Sequence, residues 1–573
     1  MNPAPLVPSF GYYLARTRIA YFSMEVALRA EMHTYSGGLG GLAGDTARSA
    51  ADLDLPMIFV TLISRQGYLR QEIGHDGQQI EHPDPWEPKQ FALPLRAKIA
   101  IPIEGREVWI RPWLYLVHST LQHRVPVLLL DTDLPENQPE DRQITDRLYG
   151  PGDAYRLKQE IVLGIGGMRI LEALGFDIRV YHLNEGHAAL LGLDLLRRHA
   201  RLADEKTPDA IRYDTARVRE RCVFTTHTPV AAGHDRFPYD LVSRLLGDYI
   251  DIAQLRLLAG EDDLNMTLLA LNLSGYVNGV ASRHAETAAR MFPGYRVRSI
   301  TNGVHLPTWT HLAFAKLFNR QFPSWVVEPE LMVRADQLSD SEVWTAHTEA
   351  KADLISLVRA RTHVRLSPEL PILGFARRMT AYKRPDLLFA DLARLVAISQ
   401  QHPFQVVFAG KAHPADNAGR QFIQDIHRHV ERLKGKVTVA FLPGYNIELA
   451  RTLVAGTDVW LNTPVPPMEA SGTSGMKAAL NGGLNLSVLD GWWVEACIEG
   501  VTGWAIGDDR PDHVPSAGAL YDKLAVSVLP LYYRDRTKWI WMMKQAISKV
   551  ASCFNTQRMM RRYVVEAYLA GLR

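Results

Sequence analysis

A chain of 573 residues is longer than one hydrophobic core usually serves, so two or three domains are expected. Its 47% apolar and 22% charged content is that of a globular protein, and a net charge of +2 argues against a nucleic acid or membrane surface as partner. Cys222, Cys497 and Cys553 show no CxxC spacing, which points to neither a zinc site nor a disulfide framework and fits a reducing cytoplasm.

The opening MNPAPLVPSFGYYLARTRIAYF has no basic start followed by an apolar stretch, so no leader is expected. No run of about 18 apolar residues suggests a membrane span. Strands are expected in the first half at 18–24, 56–62, 124–132, 177–184, 221–227, 275–282 and 296–304. Further strands are expected at 371–377, 404–410, 436–442, 458–463 and 484–491. Many are continuous apolar runs, as in parallel strands buried on both faces. Helical patterns such as 154–174 and 386–400 lie between them, which makes the fold class α/β. The helical stretch 306–370 interrupts this rhythm and puts a domain boundary near 305–335. The amphipathic tail 556–572 is expected to pack back on the first half.

Four motifs carry chemistry, at or near strand ends, where open α/β sheets bind ligands. Gly38-Leu39-Gly40-Gly41-Leu42-Ala43 fits GxGxxA, leaving open a dinucleotide, another phosphate or sugar contact, or a plain turn. Arg377, Arg378, Lys383 and Arg384 cluster after a strand, where an anion would relieve their conflict with a helix dipole. His182, His187, His227 and His234 lack a known metal spacing; a polar sugar cleft or structural roles suit them, and no metal is expected. Lys477, in EASGTSGMKAALNGG, sits among small and apolar residues. It either snorkels outward or offers a desolvated, nucleophilic amine.

In this order the motifs resemble the α-glucan (glycogen, starch and maltodextrin) phosphorylases. EASGTSGMKAALNG is similar to that family's pyridoxal-phosphate segment, EASGT-x-x-MK, and RRMTAYKR to its phosphate segment, KR-x-x-x-YKR. GGLGGLA, RLKQE, NEGH, THT and ITNGVHLPTW follow the family's order as well, and DGWWVEA is similar to its shorter bacterial and archaeal branch.

The resemblance implies a GT-B architecture, with two Rossmann-like domains facing across a cleft. Residues 1–320 would bind glucan, 321–555 would bind cofactor and phosphate, and 556–573 would form a helix crossing back. It implies pyridoxal 5′-phosphate held as a Schiff base by Lys477, with Arg377, Lys383, Thr473 and Ser474 around the cofactor phosphate. Gly38 would give a backbone N–H at the phosphate site, and Trp309 would lie near the ring. Arg378 and Lys383 would hold substrate phosphate, and the His227 carbonyl would face the anomeric carbon. Gly38, Leu39, His227, Asn302, Glu469, Ser471 and Gly472 would contact the sugar, with Glu185 and Tyr382 on the acceptor side or in support.

The implied reaction is phosphorolysis of terminal α-1,4-linked glucose to α-glucose 1-phosphate with retention. Glucan, phosphate and glucose 1-phosphate would be the partners, in the cytoplasm; a homodimer stays open. Arg377, where the family often has Lys, and Ser474-Gly475, where it often has Gly-Asn, depart from the pattern. The absence of a long N-terminal extension implies no phosphorylation or nucleotide control. The alternatives are a nucleotide-sugar glucosyltransferase resembling glycogen or starch synthase, and a glucan-binding protein without catalysis.

Overall fold

A computed structural model describes residues 10–200, 211–230, 233–508, 510 and 513–572. Residues 1–9, within the segment expected to carry no leader, lie outside the described residues, as do Ala231 and Ala232 of the expected THT segment.

The first sheet is built from β1 (Ile19–Ser23), β2 (Met57–Leu62), β3 (Arg106–His118), β4 (Arg124–Asp131), β5 (Val180–Asn184), β6 (Cys222–Thr225), β7 (Tyr276–Gly279) and β8 (Arg298–Ser299). Its order is β8-β7-β6-β5-β1-β2-β4-β3, parallel up to β4, and β3 pairs antiparallel with β4 and, beyond it, with the short strands Leu93–Pro94 and Ile99–Ile103. Alternate residues face opposite cores: Ala20, Phe22, Ile58 and Val60 enter one cluster, and Ile19, Tyr21, Met57 and Phe59 the other. Burial on both faces is why these strands read as unbroken apolar runs.

The second sheet joins β9 (Ile372–Ala376), β10 (Gln405–Ala409), β11 (Thr438–Leu442), β12 (Val459–Asn462), β13 (Leu484–Val488) and β14 (Gly503–Ile506). Its order is β11-β10-β9-β12-β13-β14, all parallel. In both sheets the chain reverses direction beside the first strand, between β1 and β5 and between β9 and β12. A crevice opens at the carboxyl ends of strands at such switch points.

Three helices matter for the site: α1 (Gly38–Asp52), α2 (Ser474–Leu480) and α3 (Thr556–Tyr563). The tail containing α3 lies on the first sheet. Thr556 Oγ1 meets Ser49 Oγ at 2.6 Å, Tyr563 OH meets Thr225 Oγ1 at 3.1 Å, and Tyr568 OH meets His182 Nδ1 at 2.6 Å.

Several elements differ from the sequence reading. The helix expected at 386–400 is Leu392–Gln401, because Asp391 caps it by accepting from Arg394 N at 2.9 Å. The strand expected at 296–304 shrinks to Arg298–Ser299, and the helix expected at 154–174 passes through a π-helical stretch at Val162–Gly166. Antiparallel β3 and a hairpin pairing Arg70–Ile73 with Gln79–His82 were not expected, nor was β14. Among the described residues, no helix is long and apolar enough to cross a membrane, and no three His, Cys, Asp or Glu residues gather as metal ligands.

Candidate active site

The glycine turn leads from β1 into α1, with Glu25 beneath it. Glu25 accepts from Ser36 N at 2.6 Å, Gly37 N at 3.1 Å and Tyr149 OH at 2.8 Å. A Cβ on Gly40 would stand 2.6 Å from both Glu25 Oε2 and Tyr35 Cβ, so only glycine fits there. Gly38 starts the helix with nothing within 4 Å of its Cβ position, and Leu39 is half-buried beside it. β2 runs into Ile63-Ser64-Arg65, with no carboxylate where a dinucleotide ribose would need one.

Lys477 lies in α2, and its Nζ stands 3.6 Å from the centre of the Trp309 ring. A Cβ on Gly41 of α1 would stand 3.9 Å from that nitrogen. Burial pulls the amine's pKa down to about 8, against the opposing pull of Asp45. Asp45 Oδ2 accepts from Trp309 Nε1 at 2.6 Å and from His305 N at 3.2 Å. Asn481 donates to the carbonyls of Trp309 at 2.8 Å and Lys477 at 2.9 Å, fixing indole and lysine together. The amine therefore does not snorkel.

Beside α2, Glu469 Oε2 meets Arg377 Nη2 at 2.5 Å and Lys383 Nζ at 2.6 Å. Burial alone would raise the Glu469 pKa, but the two cations hold it at about 2. Asp490 accepts from Glu469 N at 2.8 Å; burial, reinforced by the Glu469 charge, pushes its own carboxyl up to about 7. Gly472 adopts φ +86°, and its Cβ would come 3.1 Å from Glu469 Oε1. Thr473 precedes α2 without a side-chain capping bond, and Ser474 Oγ accepts from Trp460 Nε1 at 3.1 Å. Arg377 Nε and Nη1, Ser471 Oγ and Asn302 Oδ1 are buried without a hydrogen-bond partner among the described residues. Unpaired buried donors and acceptors are costly, so each marks a place where a polar ligand would remove that cost.

Arg378 follows β9 and is exposed, with Tyr382, Tyr68 and Glu25 as electrostatic neighbours. Lys383 Nζ stands 4.5 Å from the centre of the Tyr382 ring. Arg384 leaves the cationic group: its guanidinium donates to the carbonyls of Thr463 at 2.8 Å, Pro515 at 2.6 Å and Pro464 at 3.0 Å.

On the first sheet, Glu185 follows β5 with φ +71° and accepts from His227 N at 2.7 Å and Thr228 Oγ1 at 2.9 Å. Burial pushes Glu185 up to about 7. It props the His227 loop. His227 Nε2 donates to Asn184 Oδ1 at 2.6 Å, and burial holds the ring neutral. His182 and His234 are structural: burial takes their pKa values to about 3 and about 4, and each bonds a hydroxyl, of Tyr568 or Thr267. His187 is buried 3.5 Å from Asp235, with its pKa lowered to about 3 chiefly by burial. Asp45, Asn481, Asp490 and Glu25 were not singled out from the sequence. A carboxylate inside GGLGGLAGD and another inside the apolar SMEVAL were the available signals.

A family model described as carbohydrate phosphorylase matches residues 247–502, which contain Arg377, Arg378, Lys383, Glu469 and Lys477. Maltodextrin phosphorylase of Thermococcus litoralis is 39% identical over 100% of this chain and 73% of its own length. The chain belongs to the carbohydrate phosphorylase family. Glycogen phosphorylase of Mycobacterium tuberculosis (strain ATCC 25618 / H37Rv) is 38% identical over 96% of this chain and 71% of its own. Glycogen phosphorylase of Aquifex aeolicus is 35% identical over 96% of this chain and 86% of its own. These alignments extend the phosphorylase match well beyond the family model's span.

Proposed function

We propose that this phosphorylase transfers the terminal α-1,4-linked glucose of a glycogen- or maltodextrin-like glucan to inorganic phosphate, releasing α-D-glucose 1-phosphate with retention. The observation that carries this reading is the desolvated Lys477 against Trp309, on the helix that follows Glu469, whose carboxylate holds Arg377 and Lys383. The proposed architecture is GT-B, with residues 1–320 and 321–555 facing across a cleft and 556–573 crossing back, in a cytoplasmic enzyme.

The residues fit pyridoxal 5′-phosphate. Lys477 offers an amine whose pKa of about 8 leaves a reactive neutral fraction near neutral pH, and Trp309 offers a flat wall. Arg377, with Nε and Nη1 unpaired, would hold the cofactor phosphate together with Lys383, Thr473, Ser474 and the Gly38 amide. When bound, the group supplies a phosphate able to exchange a proton with substrate phosphate. Arg378 and Lys383 bind and orient substrate phosphate, Arg378 by its planar fork. Ser471 Oγ and Asn302 Oδ1, both unpaired, take the glucosyl hydroxyls together with Gly472, Glu469 and Leu39. The His227 carbonyl, its loop held by Glu185, is aimed at positive charge developing on the anomeric carbon. Tyr382 supports Lys383 on the acceptor side.

The test is maltoheptaose with inorganic phosphate and cofactor-loaded protein, followed by proton and phosphorus NMR. The α-anomer of glucose 1-phosphate is expected; free glucose or the β-anomer contradicts the reading.

A further inference from the structure

The hairpin Arg70–Ile73/Gln79–His82 buries two amides on its inward face beside half-buried Ile73. Gln71 and Gln79 are 5% and 2% exposed, whereas Ile80 is 40% exposed. Apolar packing of Ile73 alone leaves those amides unexplained. A buried amide is tolerated only when its donors and acceptor are paired, so this face is built for particular partners.

Those partners belong to the second sheet. Gln71 Nε2 donates to Gly410 O at 2.9 Å, and Gln71 Oε1 accepts from Gly444 N at 2.9 Å. Gln79 Nε2 donates to Ala412 O, and its Oε1 accepts from Ala412 N, each at 3.0 Å. The two amides also bond each other at 2.9 Å. Loop 410–412 is the exit of β10, and it carries the strand that bears the arginines. Arg377 N donates to Ala409 O at 3.3 Å and Met379 N to Lys411 O at 3.0 Å, so Arg378 stands between two ladder bonds. Gly410, at φ +151°, packs so tightly on Arg377 that a Cβ would collide with its carbonyl. Whatever fixes residues 410–412 fixes the Arg377–Arg378 backbone.

We propose that Gln71 and Gln79 are positioning residues: the hairpin amides clamp the β10 exit and thereby set Arg377 and Arg378 for phosphate. The inference rests on the phosphorolysis reading and adds a phosphate-positioning device from a hairpin in the first half of the chain. Methionine keeps the length and packing of glutamine and removes its hydrogen bonds.

The experiment compares wild-type holoenzyme with Gln79→Met and with Gln71→Met/Gln79→Met. Amide exchange accelerates at Ala412 in both variants and at Gly444 in the double variant, and the calorimetric Kd and KM for inorganic phosphate rise roughly tenfold or more. The KM for maltoheptaose and kcat at saturating phosphate move much less. Wild-type phosphate affinity in folded variants overturns the proposal, as does a loss of activity that only follows Tm. If the double variant does not fold, Gln79→Met alone decides by the same criteria. Calorimetry needs no turnover, so an inactive wild type would count against phosphorolysis while phosphate affinity still judges the clamp.

Discussion

Glu185 shows how one side chain couples the site to pH. Its native pKa of about 7 lies above the ordinary carboxyl value, so the native state binds that proton more tightly than the unfolded chain. The group's contribution is present at low pH and is lost as pH rises from about 4 to about 7. Buried His182, His187, His227 and His234 run the opposite way, being held neutral in the native state. The signature therefore lies in a difference: Glu185→Gln should gain stability relative to wild type as pH rises from 5 to 7. Urea midpoints read it, and a constant gap across that range contradicts it. At Glu469 the sign reverses. Its pKa of about 2 means the pairing with Arg377 and Lys383 persists to low pH and is lost as pH falls toward 2. Residue chemistry was partly legible, since Lys477 among small neighbours announced itself. Asp45 did not, because its partner Trp309 lies 264 positions away and no local pattern encodes that bond.

At the scale of elements, the second sheet is pinned at the amino ends of β9 and β12 by a buried ionic cluster. Asp458 takes Lys351 at 2.9 Å, His347 at 3.1 Å and Ile372 N at 2.7 Å. Burial alone would raise its pKa, but Lys351 and His347 hold it at about 2. Asp458→Asn leaves Lys351 buried without its counter-charge and should cost about 3–5 kcal/mol, read from urea unfolding. A loss below 1 kcal/mol would contradict this. The tail gives a milder case. Tyr568→Phe leaves His182 Nδ1 unpaired and should cost about 1–3 kcal/mol. Parallel strands were legible because burial on both faces leaves continuous apolar runs. The antiparallel strand β3 was not, since Pro112 and an alternating burial pattern break that signature. Arg384 looked like part of the anion site because sequence places it beside Lys383; its φ of +45° turns it toward three carbonyls instead.

For the whole molecule, the proposed site draws on both sheets: α1 and the Glu185–His227 loops come from the first, and β9, Glu469 and α2 from the second. The meeting of α1 and α2 at Lys477, with Trp309 between Asp45 and the amine, is the centre of the account. The most direct measurement is glucose 1-phosphate release from maltoheptaose and phosphate by wild type and Lys477→Ala, each supplied with pyridoxal phosphate. Borohydride reduction and peptide mass mapping are run alongside. The account predicts steady release by wild type, a cofactor adduct on the peptide bearing Lys477, and loss of at least about a thousandfold in the variant. Release undiminished in Lys477→Ala, or an adduct on another lysine, would contradict it.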